Sequence, residues 1–395
     1  MNAPGKINTE ERLLLDLCRL ETDDIRKTQI TDLAKEVTRW DYFSTLAAMH
    51  GVAALVYYNL EKNNLLKYVP SGITDELKTA MLKSIGRNVF LTESLAEALN
   101  LLNSHNIKTV LLKGMALEKS IYGNRGLRQM NDIDILVERW KCLKARSILM
   151  NKGFTSLPVK SVLHKLILDR IGKHLPSLIK NGASIEIHHE LFTDRLHSLT
   201  GKIIDSSKEV SVNGEKAFIP HPQLFFLYLI RHLEKHEANN ESQLRLYTDL
   251  IVMLEKYSGL IINHDFLHLV SDAGMKSVMA GHLYSLQEFW SVEFPGWLRS
   301  FIKNNNPSDT TECFLFFLRS PKNDLTNRHG IYSQVVKEIP GVHRKIIFVL
   351  GDIFPTLTFM KKRYKCSGNL KAVLYYPHRL GKLWWLIHRK GTDRV

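Results

Sequence analysis

Met130-Asn131-Asp132-Ile133-Asp134-Ile135-Leu136-Val137 sets two carboxylates into an alternating run that then closes on three apolar residues. Side chains of a strand point alternately to its two faces, so Asp132 and Asp134 share one face while Ile133 and Ile135 take the other. Residues two apart along a strand lie about 7 Å apart, close enough for two carboxylates to share divalent ions. Ile135, Leu136 and Val137 anchor the strand in a core, which leaves the acids at its exposed beginning. Crowded carboxylates repel unless a cation sits between them.

Upstream, Ile107-Lys108-Thr109-Val110-Leu111-Leu112 reads as a strand ended by Lys113-Gly114, with Met115 to Tyr122 helical after it. A glycine at a strand-to-helix turn lets the backbone approach a phosphate, and the free N–H groups of a helix start favour it. Lys113 adds charge there. The loop that follows carries Arg125 and Arg128, both suited to bidentate phosphate contact. Asp132 to Val137 is the second strand, Trp140 to Lys152 a helix. Ser184-Ile185-Glu186-Ile187-His188 is a third strand, entered from the turn at Asn181-Gly182. Glu186 and His188 share one face of it. Glu186 is a third metal acid or the base for an acceptor hydroxyl, if the strands are neighbours, and otherwise a solvent-facing residue. A metal-ligand pair beside a phosphate cradle and arginines is equipment for phosphoryl or nucleotidyl transfer.

Around this section the pattern is helical. Asn8-Thr9-Glu10-Glu11 is a capping box ahead of Leu13, Leu14, Leu17 and Leu20. Further helices are expected over Asp41 to Lys62, Thr74 to Leu102, Leu224 to Lys235 and Leu244 to Tyr257, and a loop at Asn304-Asn305-Asn306-Pro307-Ser308. The expected fold is α+β: a small mixed-sheet core over 105–219, a helical N-terminal region over 1–104, and a helical C-terminal region over 220–395 ending in a basic, aromatic tail. Asp249 follows Arg245 at the spacing of an intrahelical ion pair, the favoured reading, with a contact across the domain junction as the alternative.

Leu111-Leu112-Lys113-Gly114, the Tyr122 to Arg128 loop, Met130 to Val137 and Ile185-Glu186-Ile187-His188 together resemble the bacterial uncharacterised nucleotidyltransferase family of the DNA polymerase β-like superfamily. The resemblance is strongest from Ile107 to Leu191. It continues more weakly through His221-Pro222, Arg231-His232-Leu233 and Leu244-Arg245-Leu246-Tyr247-Thr248-Asp249. It implies transfer of a nucleotidyl group from an NTP with two divalent ions, Mg²⁺ or Mn²⁺, to a sugar, peptide or small-molecule acceptor in polysaccharide or modified-peptide biosynthesis. By position, Gly114 matches the glycine of the turn, Asp132 and Asp134 the metal acids, and Glu186 the third acid, where the family often has Asp. Met115 departs from the wider superfamily's Gly-Ser or Gly-Gly turn. Lys113, Gly114, Arg125, Arg128, His174 and His188 are expected to hold the nucleotide. A degenerate nucleotide-binding or scaffold module and a basic nucleic-acid-binding protein are the rival readings.

The 395 residues are 44% hydrophobic and 24% charged, which excludes a disordered chain and allows two or three units with a real core. A net charge of +14 suits phosphates, polyanions or an anionic membrane surface. From Arg319 onward there are 16 Lys/Arg against four Asp/Glu. For Lys361-Lys362-Arg363-Tyr364-Lys365 and Leu383-Trp384-Trp385-Leu386-Ile387-His388-Arg389-Lys390 three readings stay open: packing on the body, peripheral contact with a membrane, and nucleic-acid binding. Four scattered cysteines give neither a zinc ribbon nor a disulfide framework and fit reduced thiols. His232-Leu233-Glu234-Lys235-His236 lacks the Glu that a zincin helix carries directly after its first histidine. His174 either touches substrate or packs. The N-terminus has no signal-peptide run, and Ile346 to Leu350 is too short to span a bilayer, so a cytoplasmic protein, with peripheral contact at the inner membrane surface, is expected.

Overall fold

The computed structural model describes residues 6–388 apart from 157–159, 165–173, 193–196, 239–242, 264, 321–335, 337–338 and 340; the side chains of 382–388 also lie outside the description. The expectations for Trp384 and Trp385 and for Arg389-Lys390 therefore fall outside the described residues.

The fold is α+β, built on a seven-stranded mixed sheet. The strands are β1 (Val110–Leu111), β2 (Ile133–Leu136), β3 (Thr155–Ser156), β4 (Leu178–Lys180), β5 (Ala183–His188), β6 (Lys208–Val212) and β7 (Glu215–Ile219), in the order β3-β4-β5-β2-β1-β7-β6. β2 and β5 are parallel neighbours; β1 runs antiparallel to β2. Ile133, Ile135, Ile185 and Ile187 fill one face and are fully buried, which fixes the register because a one-residue slip would expose them. Two hairpins extend the sheet. Asn181-Gly182 joins β4 to β5 and Asn213-Gly214 joins β6 to β7, all four residues with positive φ, the backbone that a two-residue hairpin turn requires.

Helices α1 (Thr9–Leu17), α2 (Asp24–Glu36), α3 (Trp40–Met49), α4 (Ala53–Lys62) and α5 (Ser71–Asn103) precede the sheet. The capping box at Asn8 and Glu11 forms as expected. The expected single helix from Asp41 to Lys62 is instead α3 and α4, because Gly51 takes a left-handed φ of 67° and ends the first. The 33-residue α5, about 50 Å long, braces the middle of the chain. Its Asn88 donates to the carbonyls of Arg125 and Arg128, and its Arg87 to that of Asn131 at 2.7 Å. Within the sheet region lie α6 (Lys113–Leu117), α7 (Cys142–Asn151) and α8 (His197–Asp205). A π-helical turn, Glu118–Tyr122, continues α6.

After the sheet come α9 (Pro222–Ala238), α10 (Leu244–Ile261), α11 (Phe266–Asp272), α12 (Lys276–Trp290), α13 (Gly296–Asn305) and α14 (Thr310–Arg319). One continuous buried core runs from Leu13 to Leu318. The last described helices, α15 (Val342–Ile353), α16 (Leu357–Tyr364) and α17 (Asn369–His388), meet the segment at 160–164, where His164 stacks on Phe348 and Lys160 pairs with Asp352. Among the described residues no helix is long and apolar enough to cross a membrane.

His50 stitches three helices together. Its Nδ1 accepts from the backbone N–H of Leu244 at 2.9 Å, and its Nε2–H donates to the carbonyl of Leu318 at 2.9 Å. Burial holds this ring down at about 4, so it stays neutral. A histidine depressed in the folded state binds its proton sooner in the unfolded chain. Its stabilising effect is complete above about 6.5, and is lost as pH falls towards about 4. We expect the unfolding free energy to fall on the order of 3 kcal/mol from this residue across that window. NMR titration of the His50 ring together with denaturant melts at pH 7 and 4.5 checks it; a ring titrating near the ordinary value would overturn the account.

Candidate functional site

The pairing of β2 with β5 builds the site. Asp134 lies opposite Glu186 and Leu136 opposite His188, so Asp132, Asp134, Glu186 and His188 all project from one face of the sheet. Donor atoms of Asp134, Glu186 and His188 lie within 4.8 Å of one another, the one group among the described residues with the geometry of a metal site. Asp132 lines the same cavity, although its oxygens stand outside that trio. His174 bridges to the backbone of His188, and their rings are 5.2 Å apart.

Lys113 enters from the end of β1. Because β1 runs antiparallel to β2, the N–H of Leu112 meets the carbonyl of Asp134 at 3.0 Å, and the next residue falls beside the acids. Lys113 takes a positive φ of 45° there, a conformation that side chains rarely adopt. Its ammonium sits 2.6 Å from Asp134 Oδ1, and His188 Nε2 lies 2.8 Å from the same oxygen. Burial alone would push the Asp134 carboxyl up. The charge of Lys113 and the hydrogen bonds from His188 and Lys113 overcome it and hold that carboxyl well below its usual range. Asp132 goes the other way, raised by burial and then by the charge of Asp134. Two like acids side by side thus have opposite tendencies. Burial lowers His188 below its usual value, leaving a neutral ring that donates to a carboxylate or, in its other tautomer, offers a nitrogen ligand. Glu186 accepts from Ser177 Oγ at 3.0 Å and lies 3.7 Å from His188.

The arginines fall differently from the sequence reading. Arg128 is buried, and its fork is spent on Asp249: Nε and Nη2 donate to the two carboxylate oxygens at 2.7 Å each, while Tyr122 donates to Oδ1 at 3.0 Å. Among the described residues Asp249 pairs with Arg128 and not with Arg245, since a bidentate fork outcompetes a single one-turn contact. Arg128 therefore has only Nη1 left to face the cavity. It rests over Gly114, where an added Cβ would come within 2.5 Å of that nitrogen and 2.7 Å of Met130. The glycine is required by this packing, and the positive φ falls on Lys113 beside it. Arg125 is exposed, hydrogen-bonded to Asn213 at 3.4 Å, and does not line the cavity.

Residues the sequence reading left out of the site complete the wall. His232 and His236 of α9, and Gln243, Arg245 and Leu246 around the start of α10, face the acids across a cavity of about 180 Å³. That is below the 300 Å³ or so of a pocket for a whole small ligand. Tyr228, His232 and His236 recur every four residues along one face of the helix, the first two rings stacked and the second pair edge to face, and that periodicity was the available signal. Burial lowers His232 and brings His236 down to about 4. Arg245 is drawn down to about 10, by burial first and then by the charge of Arg128.

Acids on neighbouring parallel strands, a half-buried lysine at the strand-to-helix turn and a wall of histidine and arginine thus meet at one cavity. The sequence matches the model of the uncharacterised nucleotidyltransferase family over residues 36–291, and the chain belongs to that family. Nothing among the curated proteins matches it. An antigenic nucleotidyltransferase-like protein from Paracoccidioides brasiliensis, of known crystal structure, is similar at 14% identity with a TM-score of 0.32, over 56% of this chain and 95% of that one.

Two expected outcomes test the Arg128 anchor. Asp249→Ala leaves a buried guanidinium without its counter-charge and should cost about 3–5 kcal/mol in denaturant melts. Gly114→Ala, which pushes on a guanidinium that cannot retreat, should cost about 1–3 kcal/mol. Wild-type stability in either variant would show that the contact is slack.

Proposed function

We propose that this nucleotidyltransferase moves a nucleoside monophosphate from an NTP to a hydroxyl of a sugar, peptide or small-molecule acceptor, with a divalent cation held by Asp132, Asp134 and Glu186 and with His188 beside them. The observation that carries the reading is the convergence of Asp134, Glu186 and His188 on one sheet face beside Lys113. The donor set fits a divalent ion: two carboxylates and a neutral imidazole gather at one point, and their field already draws in an ammonium. The imidazole favours Mn²⁺ more than an all-oxygen site would. Such an ion supplies phosphate charge neutralisation and a more acidic acceptor hydroxyl.

The chain's own residues then have separate tasks. Lys113, the Nη1 of Arg128 and Arg245 offset negative charge on the phosphates. Glu186 takes the proton as the acceptor oxygen bonds to the α-phosphorus, and the bond to pyrophosphate breaks. Ser177 orients Glu186 through its hydrogen bond. His232 and His236, neutral near pH 7, shape the opposite wall without adding charge.

A second reading has one observation in its favour. Lys113 already balances Asp134, so the site is stable as a nucleotide-binding or scaffold module that transfers nothing. Calorimetry of each NTP with Mg²⁺ or Mn²⁺, followed by transfer assays with the labelled nucleotide that binds, separates the two. Asp134→Asn should lose metal-dependent binding and cut transfer by about 100-fold or more while keeping the fold. Full transfer by that variant would sink the mechanism, and tight NTP binding indifferent to metal would favour the scaffold.

A further inference from the structure

We infer that helices α15 to α17 form a docking face for an anionic lipid surface. Val342, Ile346, Val349 and Leu350 recur along α15 at one face, 73%, 53%, 39% and 37% exposed. On α17 Leu370, Val373, Leu374 and Leu380 do the same, with Leu370 at 85% and Leu374 at 75%. The two stripes are made by design of the sequence rather than by loose packing. Each helix turns a different set inward: Phe348 of α15 and Ala372 of α17 are buried, as is Met360 of α16 between them. Arg379 donates to the carbonyl of Asp352 at 3.1 and 3.2 Å, which ties α17 to α15. The helices are thus docked, with aliphatic faces left outward.

Charge selects the occupant. Residues 342–388 hold nine Lys/Arg and one acid, Asp352, and that acid is buried against Lys160. Arg344, Lys362, Arg363, Lys365 and Lys371 are exposed on the same helices and the turn that joins α16 to α17. Aliphatic stripes beside unpaired cations are what an amphipathic helix presents to the headgroup boundary of an anionic bilayer. A second copy of the chain would bring two strongly basic faces together, which like charge opposes. Single-stranded nucleic acid uses aromatic platforms to stack bases, and these stripes are aliphatic.

Co-flotation of the full chain tests the inference, with vesicles of phosphatidylcholine alone and with an equal mixture of phosphatidylcholine and phosphatidylglycerol. The double variant Leu370→Ser/Leu374→Ser changes only exposed side chains, so circular dichroism should be unchanged. The wild type should float with the anionic vesicles, release as salt is raised, and bind them about tenfold or more tightly than the variant. Failure to float, or equal flotation of wild type and variant, overturns the inference. So does sedimentation showing a dimer that the variant abolishes, since a second copy would then own the face. Nucleotide binding in the Mn²⁺ calorimetry is independent of either result.

Discussion

The buried pair of Arg128 and Asp249 holds the two halves of the site together. Arg128 belongs to the loop between the first two strands of the site, Asp249 to a helix more than a hundred residues later, and neither is solvated. Two ions taken out of water are costly unless each finds nearly ideal partners, and here a two-point fork with a tyrosine hydroxyl on the same carboxylate supplies them. The consequence reaches beyond stability. With Asp249 fixed on the loop, Arg245 one turn earlier is released from it and faces the acids. The same pairing lays Arg128 across Gly114, which is why that position holds no side chain.

Asp134 is the second constraint. It is 3% exposed, and one of its oxygens receives both Lys113 and His188. A carboxylate this deep stays ionised only through such contacts, and Lys113 reaches it from a strained backbone. That strain argues for a position set by the charge it must meet, since an unstrained lysine would point elsewhere. Asp132, two residues earlier, is raised rather than lowered, by burial and by the charge of Asp134 beside it.

The acids were legible in the sequence because strand alternation is local. Asp132, Asp134, Glu186 and His188 could be assigned to faces from period two alone, and the register of β2 against β5 then follows from burying four isoleucines. The capping box at Asn8 was legible for the same reason. The hairpin of β6 and β7 was missed, although Asn213-Gly214 between Lys208–Val212 and Glu215–Ile219 is a turn signal, because the adjacent charges Lys208-Glu209 and Glu215-Lys216 fall on both faces and break the alternation. Break points such as Gly51 lie inside continuous helical periodicity and show only as a single left-handed residue. The arginine roles could not be read at all. Whether Arg128 meets a phosphate or Asp249, and whether Asp249 pairs with Arg245, depends on a contact between segments far apart in the chain, and a spacing of four residues along a helix describes only the weaker option.

The basicity of the chain divides into two kinds of charge. Inside the site each cation has a counter-charge or a carbonyl: Lys113 has Asp134, Arg128 has Asp249, and Arg245 donates to the carbonyl of Gln129. Such charge acts at a few ångströms on whatever enters the cavity, and salt hardly weakens it because solvent is excluded. The helices over 342–388 carry more than half of the net +14, and five of the nine cations there, Arg344, Lys362, Arg363, Lys365 and Lys371, are exposed. Those five are hydrated and screened, and act collectively against an extended negative surface. A nucleotide, with its few charges, is served by close contacts of the first kind, and a bilayer cannot enter that cavity. The same net charge therefore argues for two surfaces with different partners, and the composition alone could not have separated them.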